Sequence, residues 1–409
     1  MSRGAGRGRG GPVRDGERMP RGDRCTVAAA AGYSALLLAK AALAAVAVAR
    51  RRARLRAATG AVIPPSELTI VQAIRSGDPQ LEDALACTLV AAPRSAVIWL
   101  VDEEDATGRR AAEAARSRHP LARLLIVECP PCPPGVAPKT VKLHLAEPRI
   151  ETEAFAVVDD DTSVTPEGVN ALLDGLRIAD VSTGLPCYVP GPGPWSRLLA
   201  QFVNDQGLLA YLPTAALGTP RALNGMTWAM RRSTLERLGG FGPLLPLLAD
   251  DLAVATRVRT SGGTIDQTEV AQSISTTVAD GRHYRELMHR WMVFAGLALR
   301  AERPAWRAGL LAAYAVPAML LGALVIGAAR RPTPPRIAAL GGALALRSAV
   351  LAVAQRLLTG RMRHDPVLSL VAELAVPAQF AGALVDRRIV WRGRRYRVHA
   401  NDRFEEVVR

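Results

Sequence analysis

Four long apolar segments dominate the hydrophobic pattern of the chain. Each holds at most one charged residue, and they comprise residues 27–49, 308–329, 337–355 and 366–385. A helix needs about 20 residues to cross the hydrocarbon core of a bilayer. The pattern therefore predicts a multi-pass membrane protein.

The first apolar segment predicts an uncleaved membrane anchor. It is followed at once by arginines at positions 50, 51, 52, 54 and 56, and such a run marks a cytoplasmic flank. The segment is also too long for a secretory signal. Residues 1–26, which are rich in Gly and Arg at their start, are predicted to be a disordered basic tail.

Between the first and second apolar segments, the pattern changes to short strands that alternate with helices. Apolar runs at 68–71, 96–101, 122–127 and 155–158 predict strands, with helix-like runs at 80–89 and 111–118 between them. This alternation is typical of an α/β domain with a mostly parallel sheet. We expect that domain to span residues 61–300, with transmembrane or re-entrant helices over 308–385 and a basic tail over 386–409.

Acidic residues follow two of these predicted strands. Asp159, Asp160 and Asp161 end one strand, and Asp102 and Asp105 follow another. Carboxyl ends of parallel strands share one edge of a sheet, where ligands bind. A solvated turn is the alternative explanation of the three aspartates.

A further acidic pair, Asp250-Asp251, lies about ninety residues downstream of the aspartate triplet. A carboxylate pair at a strand end can hold a cation that neutralises two phosphates, and a separate carboxylate can accept a proton from a hydroxyl group. All candidate ligands are oxygen atoms, and no histidine is near them in sequence. The expected metal is therefore Mg²⁺ or Mn²⁺ rather than zinc.

The net charge of +15 does not indicate nucleic-acid binding. Much of the basic excess lies beside the apolar segments, in the first 24 residues, at 50–56 and at 387–397. Arginine in such places meets anionic lipid headgroups. No nucleic-acid-binding motif is visible, so we predict no nucleic-acid partner.

Several short motifs, taken together, resemble the ceramide glucosyltransferases and their bacterial relatives, close kin of glycosyltransferase family two. The matching elements, in chain order, are Gly77-Asp78-Pro79, Pro138-Lys139, Asp159 to Asp161, Gly184-Leu185-Pro186, Gly225-Met226, Gly239-Gly240-Phe241, Asp250-Asp251 and Arg290-Trp291. The resemblance implies a GT-A fold, a UDP-sugar donor, inversion at the anomeric carbon and a cytosolic catalytic domain.

The resemblance also implies roles for individual residues. Asp102 or Asp105 would contact the nucleotide, Asp159 and Asp161 the diphosphate and metal, and Lys139 the donor. Asp251 matches the catalytic base. Arg290 would face the diphosphate and Trp291 the acceptor, although an interfacial belt is an alternative explanation for this Arg-Trp pair.

One departure from the family pattern limits what the resemblance implies about the acceptor. Leu287 stands three positions before Arg290, where the family has Gln or Arg. We expect transfer to the hydroxyl group of a lipid. A polysaccharide synthase of the same superfamily, or a non-catalytic membrane scaffold with a degenerate transferase domain, are the alternatives.

Charge bias and the number of apolar segments conflict over topology. With the catalytic domain in the cytoplasm of a plasma-membrane protein, three further crossings place the tail outside, yet its arginines favour the cytoplasm. We expect one of the segments that contain Arg347 or Glu373 to be re-entrant or interfacial. The tail then stays cytoplasmic.

Overall fold

A mixed sheet of eight strands forms the centre of the α/β part. The computed structural model describes residues 20–133, 135–218, 220–391 and 394–407. The strands are β1 (Leu68–Ile74), β2 (Ala96–Asp102), β3 (Arg123–Cys129), β4 (Ala154–Val158), β5 (Thr162–Ser163), β6 (Val181–Pro190), β7 (Thr227–Arg231) and β8 (Ile265–Thr276). Their order is β3-β2-β1-β4-β7-β6-β8-β5. The pairs β3/β2, β2/β1, β1/β4 and β6/β8 are parallel, so the predicted mostly parallel α/β sheet is confirmed.

Thirteen α-helices are found among the described residues. They are α1 (Arg21–Ala57), α2 (Leu81–Ala91), α3 (Ala106–Arg118), α4 (Pro138–Ala146), α5 (Pro166–Gly175), α6 (Pro194–Gln206), α7 (Leu212–Ala216), α8 (Arg232–Arg237), α9 (Asp250–Thr260), α10 (Gly281–Arg300), α11 (Pro304–Arg330), α12 (Pro334–Thr359) and α13 (Pro366–Val385). A π-helical turn, Gly207–Tyr211, joins α6 to α7. Strands β1 and β4 are buried along their whole length, as expected of central strands covered on both faces.

Helices α1, α11, α12 and α13 are long and apolar enough to cross a membrane. They contain the four predicted segments, and α1 extends well beyond the predicted anchor at both ends. The predicted disordered tail is wrong for residues 21–26, which belong to α1; residues 1–19 lie outside the described part of the chain. Helix α1 packs against both α11 and α12, and residues 21–26 form the first turns of this packed helix.

The charges within the apolar helices are paired. The Arg347 guanidinium on α12 lies 2.7 Å from the Glu373 carboxylate on α13, and the Tyr33 hydroxyl on α1 donates to the same carboxylate at 3.1 Å. Ionisable side chains inside a membrane face the helix bundle and pair with one another. This pairing offsets part of the cost of placing charged side chains within apolar helices.

The basic region after α13 folds as a small antiparallel sheet. Its strands are β9 (Arg388–Trp391), β10 (Arg394–Ala400) and β11 (Arg403–Glu406), in the order β11-β10-β9. Ile389, Tyr396 and Val398 are buried, while Arg395 and Arg397, which alternate with the last two, are exposed. This alternation with a period of two is a strand pattern. The sequence interpretation, which treated this region only as a charged flank, missed it.

Arg51 on α1 attaches the anchor helix to the sheet. Its side chain is buried, with Nε 2.8 Å from the Asp266 carboxylate and a terminal nitrogen 2.7 Å from Glu269, both on β8. It also donates to the carbonyl oxygen of Ala171 at 3.0 Å. The arginine run that follows the first apolar segment thus also fixes the α/β domain against α1.

Replacing Arg51 should destabilise this junction strongly. In Arg51→Ala the buried Asp266 loses its partner, and breaking a buried ion pair costs about 3–5 kcal/mol. Arg52→Ala is the matched control, because Arg52 is exposed and contributes at most about 1 kcal/mol. Thermal unfolding in detergent should show a clearly lower Tm for Arg51→Ala alone. Equal Tm values for the two variants would contradict the assignment.

Candidate active site

Lys139, near the start of α4, links the two acidic motifs that the sequence singled out. Its ammonium nitrogen lies 2.8 Å from Asp159 Oδ1 and 3.1 Å from Asp250 Oδ2, and it donates to the carbonyl oxygen of Gly225 at 3.0 Å. The side chain is only 6% exposed. The turn after β4 and the start of α9 are therefore brought together around one buried positive charge.

A second lysine on the same helix face, Lys142, was missed by sequence reasoning. Its Nζ lies 2.9 Å from Asp102 Oδ1 and donates to the carbonyl oxygen of Ile74 at 2.7 Å. Its position three residues after Lys139 places both ammonium groups on one side of α4. That spacing was the signal available in the sequence. The two lysines hold the acidic ends of β2 and β4 at one edge of the sheet.

The two candidate nucleotide contacts, Asp102 and Asp105, have different surroundings in the structure. Asp105 is the N-cap of α3: its carboxylate accepts from the backbone amides of Gly108 at 2.8 Å and Ser76 at 2.7 Å. Burial raises the pKa of Asp105, but these hydrogen bonds outweigh it and hold the pKa below its usual value. Asp105 therefore caps α3, whereas the partly exposed Asp102 carboxylate ends β2, and both residues line the same pocket.

Asp251 lies beside this cluster and differs from its neighbour. Asp250 is paired with Lys139, whereas Asp251 Oδ1 accepts a hydrogen bond from the backbone amide of Leu252 at 2.7 Å. Burial and the adjacent Asp250 charge raise the pKa of Asp251 to about 7, against the lowering effect of Lys139. A carboxylate with such a pKa exchanges a proton near neutrality.

The backbone around the site is fixed by contacts that the sequence did not reveal. The backbone amide of Asp159 donates to the Met226 carbonyl at 2.8 Å, and the side-chain Nε2 of Gln72 donates to the Asp159 carbonyl at 3.4 Å. Gln72 is itself held by the Trp99 indole at 2.8 Å. A Cβ on Gly225 would lie 2.9 Å from Asp251 Oδ2, so glycine is needed there for close approach. The Gly225-Met226 motif thereby joins the aspartate turn to Asp251.

The segment before Asp250 is held by the C-terminal sheet. Asn401, at the turn between β10 and β11, accepts from the amide of Ala249 through its side chain at 2.7 Å and from the amide of Leu248 through its carbonyl at 2.9 Å. Its side-chain nitrogen also donates to the Ala249 carbonyl at 3.2 Å. Three hydrogen bonds thus fix the chain immediately before the acidic pair.

A cavity of about 1010 Å³ connects the acidic residues with the membrane helices. Asp159, Asp161 and Asp251 line one end. The other end is lined by side chains of the membrane helices, which include Lys40, Leu310, Leu311, Tyr314, Val376 and Phe380. The site is therefore continuous with helices that are long and apolar enough to cross a membrane.

The predicted Arg-Trp pair lies on α10, at the wall of this cavity. The Trp291 ring stacks on Phe202 at a centroid distance of 6.4 Å and meets Tyr188 edge-on at 6.2 Å. The Arg290 guanidinium lies 5.9 Å from the centroid of the Trp391 ring on β9. Leu287, the departure from the family motif, packs in the adjoining apolar cluster.

The donor set suits a hard divalent cation. Among the described residues, no group of three or more His, Cys, Asp or Glu side chains is arranged to hold a metal alone. Mg²⁺, however, binds through one or two carboxylates together with substrate phosphates and water. Asp159 and Asp161 on the cavity wall meet this requirement, with Lys139 beside Asp159 as a further positive charge.

The chain belongs to glycosyl transferase family 21, the ceramide glucosyltransferase family, whose sequence profile matches residues 29–404. It is therefore a glycosyltransferase. The match confirms the resemblance seen in the motifs, and together with the mixed sheet it places the α/β part in the predicted GT-A class. No curated protein matches the chain significantly.

Several solved transferases have similar structures. Mannosyltransferase PcManGT from Pyrobaculum calidifontis, in complex with GDP-Man and Mn²⁺, is 16% identical with a TM-score of 0.49, over 89% of this chain and 98% of that one. S. aureus TarS 1-349, in complex with UDP-GlcNAc, is 13% identical with a TM-score of 0.37, over 84% and 99%. Glucosyl-3-phosphoglycerate synthase from Mycobacterium tuberculosis, with Mn²⁺, UDP and phosphoglyceric acid, is 18% identical with a TM-score of 0.33, over 54% and 76%.

Proposed function

We propose that this transferase moves a sugar from a UDP-sugar to the hydroxyl group of a membrane lipid, with inversion at the anomeric carbon. The observation that carries the proposal is the single cavity that joins the acidic residues to the membrane helices. A soluble acceptor needs no such connection. A lipid acceptor needs this connection, because its hydroxyl group would lie at Asp251 while its acyl chains lie among α11 and α13.

The donor would lie along the sheet edge, with its nucleoside near Asp102 and its diphosphate near Lys139 and Arg290. Two positive side chains at this position offset the charge of a diphosphate in an otherwise acidic site. Asp159 and Asp161 would hold Mg²⁺ or Mn²⁺, which neutralises charge on both phosphates when bound.

Asp251 would act as the base that removes the proton from the acceptor hydroxyl. It lines the cavity, and its raised pKa matches the task of a base that works near neutrality. Trp291, Phe202 and Tyr188 would form the apolar wall against which the acceptor packs. This assigns proton removal and acceptor positioning to separate groups.

We also infer that α13 does not cross the membrane. Before its first turn, the Asp365 amide donates to Gln201 on α6 at 2.9 Å. After its last turn the chain enters β9, which belongs to the sheet fixed to Ala249 by Asn401. Both ends therefore adjoin the catalytic part. An unbroken helix of 20 residues whose two ends both adjoin the catalytic part would lie along the membrane interface rather than across it.

Replacing Asp251 tests the base. Asp251→Asn should reduce transfer by about 100- to 10,000-fold, because the amide cannot accept the proton, while UDP binding persists. Transfer by the parent enzyme should also fall as pH drops below about 7, where Asp251 becomes protonated. Asp174→Asn, at an exposed carboxylate on α5, is the control and should behave as the parent. Parent-level transfer in Asp251→Asn membranes would exclude this base.

Chelation tests the metal. Treatment with EDTA should abolish transfer and weaken UDP binding measured by calorimetry, because the carboxylates and diphosphate then repel each other. Mg²⁺ or Mn²⁺ should restore both, and Zn²⁺ should not. Activity that survives exhaustive chelation would contradict the metal assignment.

Thiol labelling of intact cells tests the topology. Cys25, at the start of α1, and Cys87, on α2, are both exposed and serve as internal controls. An impermeant reagent should label Cys25 only. A cysteine introduced as Asp402→Cys, at the exposed turn after β10, should remain unlabelled until the cells are lysed. Labelling of this cysteine without lysis would show that α13 crosses.

A further inference from the structure

The C-terminal sheet forms one wall of a second, smaller pocket. The pocket has a volume of about 290 Å³, near the lower end of the range for ligand pockets. The ends of β1 and β2 contribute Arg75, Ser76 and Asp102 to one side. Trp391, Arg394 and Tyr396 form the other side. None of the motifs identified in the sequence analysis supplies this second wall.

The two cavities meet at residues that line both of them, Lys139 and Trp391. Lys139 is the charge beside Asp159, and Trp391 lies under the Arg290 guanidinium. A donor whose diphosphate is at this junction extends its sugar into the large cavity, toward Asp251. Its nucleoside then fills the smaller pocket, beside Asp102.

Alternation along β10 places Arg394 and Tyr396 on the pocket side and Arg395 and Arg397 on the opposite side. Tyr396 is buried and packs edge-on against Phe404 at 5.8 Å. Arg394 is partly exposed and pairs with Glu406 on β11 at 3.2 Å. The pocket wall therefore consists of a fixed aromatic ring with a planar cation beside it.

We propose that this wall is the outer face of the nucleoside subsite, and that the Arg394 guanidinium stacks on the nucleobase of the donor. The inference rests on the proposed function, since it takes a nucleoside diphosphate sugar as the donor. A guanidinium plane stacks on flat π systems, which an ammonium group cannot do. Arg394 shares its pocket with Asp102 and Ser76 rather than with Asp161 or Asp251, which places it at the base and not at the sugar.

Calorimetric titration of the full-length protein in detergent, with UDP and Mn²⁺, tests the proposal. Arg394→Ala should raise the Kd for UDP by about tenfold, the effect of removing one stacking partner from a base. Arg394→Lys should raise the Kd for UDP by a similar factor, because lysine keeps the positive charge but has no planar group that can stack on the base. Arg395→Ala, the matched change on the opposite face of β10, should bind as the parent does.

Glu406→Gln separates stacking from sheet stability, since it breaks the ion pair and leaves the guanidinium in place. Its Kd should stay within about twofold of the parent, as expected for an exposed pair. Parent-like binding by Arg394→Ala, full rescue by Arg394→Lys, or an equal loss in Glu406→Gln would each overturn the stacking assignment. Absence of UDP binding by the parent protein would instead refute the proposed donor.

Discussion

The active site depends on one buried ammonium group. Lys139 contacts carboxylates from two motifs that are about ninety residues apart, and it also bonds the backbone of the loop between them. Carboxylates brought this close without a cation repel one another strongly, because the surrounding protein screens charge poorly. The lysine permits the aspartate turn and the start of α9 to approach. It also keeps Asp250 paired, which leaves Asp251 as the carboxylate with the raised pKa.

The sequence predicted those parts of the protein in which a local pattern determines the outcome. Apolar runs that end in aspartate indicated strands, and the strand-end rule then placed Asp102 and Asp159 at one edge. The capping contacts of Asp105 could not be read from the sequence, because one of them comes from the Ser76 amide at the end of a neighbouring strand. The roles of Gln72 and Asn401 were equally hidden, since a single polar residue in a strand or turn carries no spacing signal.

The C-terminal sheet shows a different limit. Charge dominates the composition of residues 386–409, and a basic segment after an apolar helix is read first as a membrane flank. The buried positions Ile389, Tyr396 and Val398 were visible as an alternation, but short strands need a partner surface to be stable. That surface is α10, against which β9 packs. The same limit applies to Arg347 and Glu373, because their contact joins two helices and no local pattern in either helix reveals it.

The order in which a ribosome makes the chain adds a consequence to the position of the C-terminal sheet. Asn401 fixes the backbone next to Asp250, and Trp391 and Tyr396 line the smaller pocket, yet all three are synthesised after α11, α12 and α13. A nascent chain whose membrane helices are still being inserted therefore lacks one wall of this pocket and the hydrogen bonds that hold the start of α9. The fold delays completion of the catalytic centre until the surrounding helices have been made.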